Sequence, residues 1–102
     1  MTLISNAATA LSAPTSARLV LFKEDVDALT INTDLKGYVS RNNGTTYSEV
    51  TLATQGDYDS SKQVWAGTVD ISGQPSGTSP KIKVVSANNK SFKLHGWGVT
   101  WR

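Results

Sequence analysis

The chain has 102 residues, 38% hydrophobic and 18% charged, with a net charge of +2 and no cysteine. That length allows one domain with one core. A charge this mild gives no reason to expect nucleic acid or an anionic membrane as partner, and the missing thiols exclude disulfide staples and thiolate metal sites.

No apolar run approaches the roughly 20 residues of a membrane span, and the N-terminus lacks the basic start and apolar centre of a signal peptide. Residues 1–16, MTLISNAATALSAPTS, are small and uncharged. They predict an extended arm ahead of a folded domain over 17–102. Ordering such an arm requires a surface to lie against, either a neighbouring copy or its own sheet, with a first strand over 2–5. Residues 17–23, ARLVLFK, are the most continuous apolar run and predict a buried strand. A charged turn at Lys23-Glu24-Asp25 follows, then a short strand over 26–31, broken by the turn formers Asn32-Thr33-Asp34.

Residues 38–52, YVSRNNGTTYSEVTL, predict a β-hairpin. The pair Asn43-Gly44 accepts the positive φ angles of a tight turn. Leu35, Gly37 and Val39 share one face, and Ser48, Val50 and Leu52 share another. The series Ser40-x-Asn42-x-Gly44-x-Thr46-Tyr47 resembles the Asp-box hairpin, Ser-x-Asp-x-Gly-x-Thr-Trp, which is a folding device in the proteins that carry it.

Residues 55–62 are polar and predict a loop. Residues 63–72 predict a strand with Trp65, Gly67, Val69 and Ile71 on one face and Val64, Ala66, Thr68 and Asp70 on the other. Two prolines and two glycines over 73–80 exclude regular structure there. Ile82 and Val84 point inward from the next strand, while Lys81, Lys83, Lys90 and Lys93 face solvent. In the last strand Phe92 and Leu94 have even parity, but Trp97, Val99 and Trp101 have odd parity. A β-bulge at Gly96, or at Gly96 and Gly98, would return all five to one face. No stretch has helical periodicity. Seven to eight short strands therefore predict an all-β fold, a single antiparallel β-sandwich of jelly-roll or immunoglobulin-like connectivity.

Little in the chain suggests bond chemistry. His95 has no acidic neighbour in sequence, and no serine sits in a nucleophile-elbow pattern, so no catalytic residue and no cofactor are expected. Carboxylates cluster at Glu24, Asp25 and Asp27 and at Asp57 and Asp59. Asp57 and Asp59 are the candidate calcium ligands, although neither cluster has the spacing of a calcium loop. Aromatic rings are the remaining candidates for binding, since a flat apolar face with a hydrogen-bonding edge suits sugars and protein surfaces. Tyr58, Trp65 and Trp97 are the surface candidates, whereas Trp101 shares the parity of Val99 and is expected to be buried.

Leu19-Val20-Leu21 before Glu24-Asp25-Val26-Asp27, Asn32-Thr33-Asp34-Leu35, Tyr38-Val39-Ser40-Arg41 with the Asn-Gly hairpin, Gly67-Thr68-Val69-Asp70, Gln74-Pro75-Ser76-Gly77-Thr78, and Lys93-Leu94-His95-Gly96 followed by Trp101 form a pattern over nearly the whole chain. It resembles a domain found near the C-termini of tail fibres and other structural proteins of tailed bacteriophages. Asn42-Asn43 replaces a more acidic hairpin tip, and Trp65 and Trp97 are bulkier than that pattern, so no site residue is carried over. The resemblance implies a non-enzymatic virion part, made in the host cytoplasm and released by lysis. It further implies a symmetric homo-oligomer such as a trimer, assembled with other virion proteins and touching a host surface glycan. The alternatives are a freestanding carbohydrate-binding domain, a capsid decoration protein and, from the Asp-box resemblance alone, a hydrolase fragment.

Overall fold

The computed structural model describes residues 2–25, 30–57, 62–87 and 92–102. They form eight strands: β1 (Thr2–Ile4), β2 (Ser16–Asp25), β3 (Leu35–Ser40), β4 (Ser48–Val50), β5 (Ala53–Asp57), β6 (Lys62–Asp70), β7 (Lys81–Ser86) and β8 (Phe92–Trp101). Two antiparallel four-stranded sheets, ordered β1-β7-β3-β4 and β5-β6-β2-β8, pack face to face. The expected β-sandwich is therefore present. Because β1 pairs with β7 and not with β2, the strand order departs from the immunoglobulin one.

Alternation explains the core. Leu35, Gly37 and Val39 of β3 and Ile82 and Val84 of β7 point inward from the first sheet, and Ala17, Leu19 and Leu21 of β2 and Trp65 of β6 meet them from the second. Each large aliphatic side chain buried here is worth about 1.5–3 kcal/mol relative to exposure. The connection between β4 and β5 presses on β6 at Gly67, where a Cβ would lie 2.2 Å from the Thr51 carbonyl oxygen.

A bulge is present in β8, one residue before the expected Gly96. Phe22 pairs with Gly96 and Lys23 with Leu94, so His95 is the extra residue. Phe92, Leu94, Val99 and Trp101 all pack on the core as a result.

Of the two surfaces expected for the arm, it takes its own sheet: β1 pairs with β7, Ser5 N donates to the Ile82 carbonyl at 3.0 Å, and Ala8 and Ala10 donate to Pro80 and Thr78 at 2.8 Å each. Three other expectations need correction. Lys23-Glu24-Asp25, expected as a charged turn, is the end of β2. The Asn-Gly turn, with φ of 59° at Asn43 and 82° at Gly44, caps a wider loop rather than a tight hairpin, since strand pairing resumes only at Val39 and Ser48. The polar stretch after Thr54 also stays in the sheet to the end of β5, with a register irregularity between Thr54 and Asp57. The strand expected over 26–31 falls mostly outside the described residues, and so does Lys90.

Candidate functional site

Trp65, Leu21 and Trp97 stand side by side across the second sheet, as residues paired on neighbouring strands. Their fates differ. Trp65 on central β6 is 2% exposed and Leu21 0%, while Trp97 on edge strand β8 is 40% exposed. Trp65 is therefore not a surface residue, contrary to the expectation above. Its indole is closed off by the facing sheet and by Lys23, whose Nζ sits 3.9 Å from the ring centroid. The Trp65 Nε1–H is buried without an acceptor among the described residues. Trp97 is the binding candidate that does reach solvent. Tyr58 and Asp59 lie outside the described residues, as does the Asp57 side chain, so the calcium candidates are not placed. Among the described residues no group of three or more His, Asp or Glu converges on one point.

His95 does meet a carboxylate, which its sequence neighbours did not foretell. The bulge turns it onto the outer face of the second sheet, where Nε2 lies 2.8 Å from Oε1 of Glu24 on β2. That hydrogen bond, helped by Lys93 and Lys62, holds the Glu24 carboxyl below its ordinary value, against partial desolvation. The pair is open to solvent, and no serine hydroxyl is bonded to it among the described residues. It forms a surface contact.

A groove of about 380 Å³ lies further along the same sheet, lined by Ser16, Ala17, Arg18, Thr68, Thr100, Trp101 and Arg102. Arg18 stands between Thr68 and Thr100 in one row across three strands. On the opposite side of the sandwich, Lys83 lies 4.7 Å from the Tyr38 ring centroid and 4.5 Å from that of Tyr47, a cation held by two aromatic faces. Burial raises the Tyr47 phenol above its ordinary value.

Sequence reading missed the polar centre of the molecule. Arg41 is 7% exposed, and its guanidinium donates to the carbonyls of Pro14 at 2.9 Å, Ser72 at 3.0 Å, Pro75 at 3.3 Å and Gln74. Gln74, also buried, accepts from Arg41 N through Oε1 and donates through Nε2 to the Val39 carbonyl and Ser48 Oγ, each at 2.9 Å. The only hint was a lone arginine after a strand and a glutamine in a Gly/Pro-rich loop, 33 residues apart in sequence.

Asn32 plays a similar part elsewhere, taking both the N–H and the C=O of Leu52 at 2.9 Å, in place of a neighbouring strand. Comparison with known proteins finds no family model, no curated protein and no solved structure that matches this chain.

Proposed function

We propose that this chain is a non-enzymatic structural module of a bacteriophage virion, a tail-fibre or appendage β-sandwich that assembles with copies of itself and meets a host surface glycan through its loops. One observation carries the reading. Five polar residues of the phage-like pattern, Asn32, Asp34, Ser40, Arg41 and Gln74, are spent inside the molecule on main-chain groups. Polar residues used in this way serve the rigidity of the fold.

The arm gives no support to self-association, because its hydrogen bonds are made within the chain. The case rests instead on the open sheet edge that carries Trp97. The solution mass is the test: a stable oligomer is expected, and a strict monomer would overturn the structural reading. A freestanding carbohydrate-binding domain is the second reading, favoured by the 40% exposure of Trp97. A monomer whose signal on a glycan array disappears in Trp97→Ala, with the fold retained, would establish it.

A further inference from the structure

β8 is the last strand of its sheet, and among the described residues nothing pairs along its far side. The direction of its main-chain groups follows from one contact. Arg102 N donates to the Ser16 carbonyl at 3.0 Å, and the Arg102 carbonyl accepts from Ser16 N at 3.4 Å. Ser16 and Arg102 are therefore a hydrogen-bonded pair, and the register runs unbroken from there to Phe22 and Gly96. In an antiparallel ladder such pairs alternate with pairs whose groups point away. Thr100, Gly98 and Gly96 thus turn their N–H and C=O toward β2, while Trp97, Val99 and Trp101 turn theirs outward.

Soluble proteins guard an open edge with charges, proline or a bulge. The run Gly96-Trp97-Gly98-Val99-Thr100-Trp101 has neither charge nor proline, and the bulge at His95 lies just beyond it. We propose that this edge is where the chain pairs with a second copy of itself, residues 97–101 of each running antiparallel about a two-fold axis at Val99. The inference rests on the self-assembling reading above and names its contact surface.

That axis is the one the edge favours. It sets Val99 against Val99 and Trp97 against Trp101, so every outward N–H of the run meets an outward C=O of the other copy. An axis one residue off Val99 runs the ladder either into the bulge or past the end of the strand. An isologous contact of this kind joins the two four-stranded sheets into one.

Side chains agree on both faces. On the core side the half-exposed Trp97 gains the indole of Trp101 from the other copy. On the outer face Arg102 lies opposite Gly96 of the other copy, beside its exposed Phe22, and the next residue of β2 on that face is Glu24. A cation of one copy therefore approaches a carboxylate of the other, twice over by symmetry.

Sedimentation velocity on the wild type, Val99→Pro and Trp97→Glu tests this. Val99→Pro removes an outward N–H that the chain's own ladder does not use, and Trp97→Glu sets a carboxylate against the facing indole. The wild type is expected to be dimeric at about 100 μM, and each variant to weaken the dimer by about tenfold or more with an unchanged far-UV circular dichroism spectrum. Should either variant unfold, amide exchange on the wild type decides, with the 97, 99 and 101 amides protected at high and not at low concentration. An oligomer that persists in both variants, or 97, 99 and 101 amides indifferent to concentration in it, overturns this surface and leaves self-assembly standing. A wild type that stays monomeric overturns both.

Discussion

Arg41 and Gln74 hold each other's main chains: the Gln74 Oε1 accepts from Arg41 N at 2.9 Å, and the Gln74 carbonyl accepts from the Arg41 guanidinium. Through the same two side chains the end of the arm at Pro14, the loop at Ser72 and Pro75, strand β3 at Val39 and strand β4 at Ser48 are tied to one point. Among the described residues the guanidinium has no carboxylate in hydrogen-bond contact and is satisfied by carbonyl oxygens, a pattern that suits its planar fork of donors. Gly77 presses against this centre, since a Cβ there would lie 2.4 Å from the Arg41 carbonyl oxygen. Arg41→Met strands several buried carbonyls at once, and an unfolding free energy lower by about 3 kcal/mol or more is expected from denaturant titration. Arg41→Lys keeps the charge and loses the fork, so it should recover only part of that loss.

Gly67→Ala tests the packing of the two sheets separately from the clamp. The added methyl would lie 2.2 Å from the Thr51 carbonyl oxygen and 2.8 Å from the Val50 side chain. Backbone atoms cannot swing aside as a side-chain tip can, so the connection between β4 and β5 must move outward. A loss of about 2–3 kcal/mol in thermal or denaturant unfolding is expected, at the upper end for overpacking. A Gly73→Ala control, where a Cβ meets nothing within 4 Å, should stay close to wild type.

The contrast between Trp65 and Trp97 marks how far the sequence could be read. Alternation grouped Trp65 with Val69 and Ile71, and Trp97 with Val99 and Trp101, yet both indoles were expected at the surface; in the fold both face inward in one row with Leu21. Depth depends on something alternation does not encode, the order of strands in the sheet. Because β6 is central and β8 is at the edge, one indole is sealed and the other is half open. A bulge in β8 was legible because five large side chains could not otherwise share a face, but its place was not, since it falls at His95 and not at the glycine expected to supply it. Two pairings were not legible, Arg41 with Gln74 and His95 with Glu24, since they join residues 33 and 71 positions apart and depend on which strands and loops come to lie side by side.

Ser40 is the smallest residue on which a whole loop depends. Its hydroxyl, fully buried, donates to Asn42 Oδ1 at 2.7 Å and accepts from Asn42 N and Gly44 N at 3.2 and 3.0 Å. Asn42 Oδ1 in turn accepts from Thr46 N at 2.8 Å, so the Asp-box pattern works here with an amide in place of the carboxylate. Ser40→Ala leaves two backbone N–H groups without their acceptor. A loss of about 2 kcal/mol is expected, together with faster amide exchange over residues 42–46, and unchanged exchange there would refute the role given to this hydroxyl.

Acid should weaken the fold through two carboxylates. Glu24 is held below its ordinary value of 4.5 chiefly by the hydrogen bond to His95. Asp70 is held below 3.8 by the Ser72 hydroxyl and N–H, at 2.6 and 2.9 Å, with a further pull from Arg41. Since each folded-state value is depressed, the unfolded chain takes up the proton first as pH falls. The stabilisation is then complete above the ordinary values and is lost as pH drops through the lower folded ones. The denaturation midpoint of the wild type should therefore fall between about pH 5 and pH 3, and the fall should be shallower in the double variant Glu24→Gln, Asp70→Asn, which has neither carboxylate to protonate. Hydrogen bonds are the largest cause for both groups and charge attraction the smaller one, so added salt should flatten the wild-type profile only slightly. Equal slopes for the two proteins at low salt would mean that neither carboxylate is linked to folding.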